Sequence, residues 1–303
     1  MIDLHTHSNA SDGSFSPEAL ITEAAKRGIT ALALTDHDTT GGLKEAAKAA
    51  VEHGVVFIPG IELEIAWNRQ GEFHLLGLGI DEENVEFNTA IEELARRRKA
   101  RNLEILDKMN KAGIAASYEE IEKFGALSAV QGSGGHPGGH SGGHSIGRPH
   151  FAAFLVKRKI VKNREQAFLR YLGRDRPFYI PKEGLEFEQA LKLIHEAGGL
   201  AVLAHPMSLY TAWGKLPELI NGFKEKGLDG LEAWHPSAKP SSCRRLEELG
   251  KKLRLSVTAG SDFHGEVRPD RKLGITAGGR KINESILENE AFGKLRCLNL
   301  GAT

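Results

Sequence analysis

Cysteine is scarce in this chain: Cys243 and Cys297 are the only two in 303 residues. That excludes a disulfide framework and a thiolate zinc site. Net charge is absent too, with 40 Lys and Arg balanced by 40 Asp and Glu. A uniformly basic nucleic-acid coat and an acidic tail protein are thereby excluded. No apolar run approaches the ~20 residues that span a bilayer. The start, MIDLHTHSNASDG, carries neither a basic n-region nor an apolar core, and predicts no secretory leader. Disorder is excluded from the other side, since 40% of the residues are hydrophobic. The expectation is a soluble cytoplasmic globular protein with no obligate protein partner.

Histidine stands out by contrast. Thirteen occur, many beside acidic residues just after apolar runs. Those runs alternate with helical patterns at both ends of the chain. MIDL, ITALAL, VVFIPGIELEI and FHLLGLGI read as strands in the first part, and LAVLA, LDGLEAW and RLSVTAG in the last. Helices are predicted over about 17–27, 43–53, 188–197, 216–226 and 241–253, the first capped by Ser16 with Pro17 in its first turn. Strands alternating with helices argue for parallel βα units, and their recurrence at both ends argues for a closed α/β barrel. Residues 1–85 and 175–303 are assigned to this barrel. Residues 86–174, charged and helical in pattern, are read as an inserted small helical subdomain. Within it a Gly/His-rich loop (131–146) sets His136, His140 and His144 four residues apart. Its glycine content argues against regular structure, and a flexible surface insertion is favoured over a metal-scavenging loop.

Function in such barrels collects after the C-terminal ends of strands. MIDL runs into His5 and His7, with Asp12 close behind; ITALAL runs into Asp36, His37 and Asp38. Glu62 and His74 lie on the next two runs, His205 follows LAVLA, and Asp262 and His264 follow SVTAGS. Residues two apart on an extended segment face the same way, so His5 and His7 can point together, as can Asp262 and His264. Imidazoles with carboxylates and no thiolates suit manganese, zinc or iron. A carboxylate such as Glu62 has two oxygens and can bridge two ions. Each of these residues alone has an ordinary structural explanation, but core histidines have no reason to gather at successive strand ends.

His5-Thr6-His7-Ser8, Ser11-Asp12-Gly13, Thr35-Asp36-His37-Asp38, Gly60-Ile61-Glu62, His74, Ala204-His205-Pro206 and Ser261-Asp262-Phe263-His264 together resemble the polymerase and histidinol phosphatase (PHP) family. The resemblance implies a distorted (β/α)7 barrel with three divalent metal ions, manganese first among the candidates. It implies one ion on His5, His7, Glu62 and Asp262, a second on Asp12, His37 and His264, and a third on Glu62, His74 and His205. Metal-bound hydroxide would then attack phosphorus, since a metal lowers the pKa of water from about 15.7 towards about 7. No protein nucleophile is needed, and Asp36 or Asp38 is expected to orient a ligand histidine.

Gly147-Arg148-Pro149-His150-Phe151-Ala152 resembles the members of that family that hydrolyse the 3′-phosphate of nucleoside 3′,5′-bisphosphates, with relatives that trim short 5′-phosphorylated RNA oligonucleotides. Arg148 would then read phosphate and His235 would contact substrate. Three alternatives stand beside this reading: a histidinol-phosphate-type phosphatase, a metal-dependent amidohydrolase, and a non-enzymatic PHP module.

Overall fold

The computed structural model describes residues 1–122, 146–181, 184–288 and 292–294. The Gly/His-rich loop lies outside the described residues, apart from Ile146. Seven strands form one sheet in chain order: β1 (Ile2–Asp3), β2 (Ala31–Leu34), β3 (Val56–Glu64), β4 (His74–Leu78), β5 (Leu200–Leu203), β6 (Gly230–Trp234) and β7 (Ser256–Ala259). The connecting helices follow the hydrophobic periodicity. Phe187–Glu196, for example, buries Phe187, Ala190, Leu191 and Ile194 on one stripe. Ser16 caps helix Pro17–Lys26, its hydroxyl accepting the Ala19 N–H at 3.1 Å.

One expectation fails here. β4 runs antiparallel to both β3 and β5, while the other neighbours pair in parallel. A parallel return needs a crossover of about a dozen or more residues. Only residues 65–73 join β3 to β4, too few to house a helix, so the chain turns straight back.

The sheet closes almost completely into a barrel. β1 and β7 do not pair along their lengths; the segments just beyond them do. His7 N–H donates to the Phe263 carbonyl and Asp262 N–H to the His5 carbonyl, both at 2.9 Å, with Thr6 bridged to Phe263 in parallel. Closure thus happens where the two histidines meet the late aspartate.

Two apolar clusters hold the described residues together. The larger fills the barrel and takes in Phe87, Ile91 and Leu94 from helix Val85–Lys111. The smaller contains Ile105 and Met109 from the same helix, with Phe151, Phe154 and Leu155 of helix Arg148–Lys157, and with Leu172 and Phe178. One long helix is therefore rooted in the barrel and carries the second cluster at its far end.

Candidate metal centre

The segments leaving β1 and β7, with Glu62 on β3, bring four donor atoms together. His5 Nε2 and His7 Nε2 are 3.1 Å apart, and each lies 3.2 Å from Glu62 Oε2. Asp262 Oδ1 is 3.3 Å from His7 Nε2 and 3.7 Å from His5 Nε2. Ligands about 2.1 Å from a shared ion in tetrahedral array stand ~3.4 Å from one another. The observed spacing has that scale, and all four residues are buried. Gly260 makes the approach possible, since a Cβ there would meet the His5 Cβ at 2.2 Å.

Glu62 divides its two oxygens. Oε2 faces His5, His7 and, at 3.3 Å, His37 Nδ1. Oε1 faces His74 Nδ1 at 2.7 Å and His205 Nε2 at 2.8 Å. On the far side, Asp12 Oδ1 is 3.2 Å from His264 Nε2, and His7, Asp12, His37 and His264 form one further group of convergent donors. All nine sequence-selected metal-ligand candidates are thus brought into one cluster. His235 joins it as well, with Nε2 3.2 Å from Asp262 Oδ2 and its ring 5.1 Å from that of His205. Two of these residues hold backbone conformations uncommon outside glycine, His205 at φ 26° and Asp262 at φ 52°, a cost of about 1–3 kcal/mol each that recurs at functional sites.

Charge and hydrogen bonding both suit a bound cation. Burial opposes protonation of His7, yet Asp262 and Glu62 prevail and lift its pKa to about 9. His74 is lifted to about 10 against the same opposition, by Glu62 and Glu64. Burial likewise favours neutral carboxyls, but His264 and His37 hold Asp12, and His37, His5 and His74 hold Glu62, well below the usual carboxylate range. The cluster therefore draws in positive charge, which divalent ions would supply with the imidazoles neutral. In addition, His7 Nδ1, His235 Nε2 and His264 Nε2 are buried without a hydrogen-bond partner, although carboxylate oxygens stand nearby. Such orphaned nitrogens are rare unless something else occupies them.

The histidines are held from behind by groups that the sequence reading did not single out. Glu64 Oε2 sits 3.0 Å from His74 Nε2, the Ser208 hydroxyl 2.9 Å from His205 Nδ1, and Glu232 Oε1 3.0 Å from His5 Nδ1. Glu64 and Glu232 alternate with apolar neighbours on β3 and β6, a pattern visible in the sequence but shared with any half-exposed strand. Asp36 and Asp38 do not have the expected role. Asp36 accepts the Ser8 N–H and both the Ser8 and Ser11 hydroxyls, bracing the loop that carries Asp12. Asp38 accepts the Glu64 N–H at 2.9 Å and pairs with Arg98.

Above the cluster lies a cavity of about 260 Å³. Asp12, His37, Glu62, His74, His205, His235 and Asp262 line its floor; Arg98, Arg101, Arg148, Arg268 and Arg271 line its wall. Arg148 is half-buried, its guanidinium 5.5 Å from the Tyr179 ring centroid and its Nη1 donating to the Leu172 carbonyl at 3.3 Å. Arg268 donates to Asp262 Oδ2 at 2.9 Å. Burial depresses the Arg101 pKa to about 10, helped by the nearby charges of Arg98 and Arg148. Such crowding of cations is relieved by an anion. Among the described residues, no helix is long and apolar enough to cross a membrane.

Comparison with known proteins agrees with this architecture. The PHP domain model matches residues 3–142. The 5′-3′ exoribonuclease of Haemophilus influenzae is 36% identical over 263 residues, covering 86% of this chain and 89% of that protein. The 3′,5′-nucleoside bisphosphate phosphatase of Chromobacterium violaceum is 33% identical over 275 residues, covering 91% of each. Among solved structures, one described as an amidohydrolase from Chromobacterium violaceum, with bound sulfate and no metal, superposes with a TM-score of 0.80 at 30% identity, covering 97% of this chain and 96% of that one. Another, assigned as a metal-dependent phosphoesterase from Bifidobacterium adolescentis, gives 0.79 at 26% identity, covering 96% and 95%.

Proposed function

The chain belongs to the PHP family, and from that premise we propose that it is a metal-dependent phosphoesterase releasing the 3′-phosphate of nucleoside 3′,5′-bisphosphates, with short 5′-phosphorylated RNA as a related substrate. The observation that carries this reading is that a histidine–carboxylate floor and an arginine wall share one cavity. A floor of this kind handles one phosphate, and the arginine wall suits a second.

The donor set fits a cluster of divalent ions, and the reading assigns three. His5, His7, Glu62 and Asp262 would hold one; Asp12, His37 and His264 a second; Glu62, His74 and His205 a third. Oxygen-rich sites with imidazole and no thiolate favour manganese, with zinc or iron as alternatives. When bound, such ions supply Lewis acidity and an activated water for phosphoester hydrolysis. The protein's own residues do the rest. Asp36 keeps Asp12 in place through Ser8 and Ser11. Arg268 covers the outer oxygen of Asp262, and His235 stands at the cavity floor to contact substrate. Arg148, with Arg98 and Arg101 beside it, grips the phosphate that is not cleaved. Residues 86–174, as an inserted subdomain, would supply this grip, and the barrel the chemistry.

The test is phosphate release by manganese-loaded protein from adenosine 3′,5′-bisphosphate, a short 5′-phosphorylated RNA and histidinol phosphate, run beside a panel of amides. The bisphosphate is expected to turn over fastest. Preference for histidinol phosphate would overturn the nucleotide assignment, and amide hydrolysis without phosphate release would overturn the reaction class.

A further inference from the structure

We infer that Glu232 is a positioning residue, one that fixes the tautomer of His5 and ties it to His205 so that both rings present Nε2 to the metal centre. The inference rests on the metal-centre reading above. Glu232 lies on β6 with no exposure at all. Its Oε1 is 3.0 Å from His5 Nδ1, and its Oε2 accepts the His205 backbone N–H at 2.7 Å. One carboxylate thus spans the segment leaving β1 and the segment leaving β5, on either side of Glu62. The adjacent glycine serves the same contact, because a Cβ at Gly260 would come within 2.7 Å of Glu232 Oε1.

The tautomer follows from donor counting. A carboxylate only accepts, so the hydrogen bond to Oε1 requires the proton of His5 to sit on Nδ1. The Nε2 lone pair is then free to face His7, Glu62 and Asp262. A direct ligand role for Glu232 fits less well. Glu232 does form a group of convergent donors with His5 and His235, but both of its oxygens are already engaged by N–H groups.

Glu232→Gln preserves shape but cannot satisfy both donors. The backbone N–H of His205 has no alternative state, so it claims the amide oxygen and leaves the amide NH2 facing His5 Nδ1. His5 then carries its proton on Nε2, where it blocks a ligand position. Loss of such an orienting partner weakens metal binding by about 10- to 100-fold.

Two measurements test this, both without substrate. Manganese titration of the metal-stripped full chain is expected to give a 10- to 100-fold weaker dissociation constant for the folded E232Q protein. An affinity within twofold of the parent overturns the inference. Long-range proton–nitrogen NMR of the unmodified protein loaded with zinc provides the second reading, which holds even where the variant does not fold. His5 is expected to show a protonated Nδ1 and a metal-bound Nε2; metal on Nδ1, or on Glu232 itself, overturns the assignment. A parent protein that takes up no divalent ion overturns the metal-centre reading as a whole, and is distinguishable from both.

Discussion

The floor of the cavity and its wall carry opposite charge and come from different kinds of segment. Floor residues sit on strands or on the segments that leave them, are buried or half-buried, and are held from behind, as His74 is by Glu64 and His205 by Ser208. Wall arginines come from helices Val85–Lys111 and Arg148–Lys157 and from the stretch after β7. They ride on long stems that reach over the floor. A side chain at a closed strand end has few orientations left, which suits chemistry needing fixed geometry. A guanidinium on a helix suits recognition, because its planar fork can find phosphate oxygens from several approaches. On the proposed reading, the floor would handle what is common to all substrates and the wall would discriminate among them.

Removing the metal tests the floor most severely. Exhaustive chelation is expected to take phosphate release to background on every ester alike, and manganese to restore it. Turnover by protein verified as metal-free would break the division at its root. Next comes Glu62→Gln, which replaces a carboxylate facing two sets of histidines. A loss of about a thousandfold in kcat, ~4 kcal/mol, is expected on all esters, together with reduced metal content. Near-parental turnover with full metal occupancy would show that Glu62 bridges nothing.

The wall should behave selectively. Arg148→Ala is expected to lower kcat/KM for nucleoside 3′,5′-bisphosphates by about 10- to 100-fold, the scale of one charged contact of roughly 1.5–3 kcal/mol. p-Nitrophenyl phosphate has no second phosphate and should be affected far less. Equal losses on both would move Arg148 into the chemistry of the reacting phosphate, and the floor and wall would no longer be separable.

The smallest effect is expected at the other end of the barrel, where His195 Nε2 lies 2.8 Å from Asp229 Oδ2 on a partly exposed surface. Its hydrogen bond to Asp229 raises the His195 pKa against a lesser effect of burial. The folded chain therefore binds this proton more tightly than the unfolded one. The stabilisation is full below the unfolded imidazole pKa of about 6.5 and fades as pH rises through the raised folded value. The melting temperature of the parent should exceed that of His195→Gln at about pH 5.5, with the gap narrowing by about pH 8.5. Turnover should be unchanged throughout. A gap that grows with pH would contradict the sign, and altered turnover would mean that this end of the barrel is coupled to the site.

Much of this was legible in the chain itself. Period-two placement announced His5 with His7 and Asp262 with His264, and apolar runs ending in ligand-type residues marked the functional end of the strands. Helix limits followed the apolar stripe to within about a residue, as with the expected 216–226 against the observed Leu216–Glu225. Local signals suffice there because an amphipathic helix or a strand end is specified by its own few residues. Other features had no local signature. Arg98 and Arg101 lie on a helix rich in charge, where a residue facing solvent and one facing a substrate look the same. Glu232 reads as any acidic residue on a strand until β1 and β5 are placed on either side of it. Asp36 reads as a histidine's partner until the loop bearing Ser8 and Ser11 folds over it. Local sequence determined which side chains could act, because spacing and residue type set direction and chemistry. The tertiary structure decided which of them meet, because closure of β1 against β7 joins residues more than two hundred positions apart, and no local pattern encodes that distance.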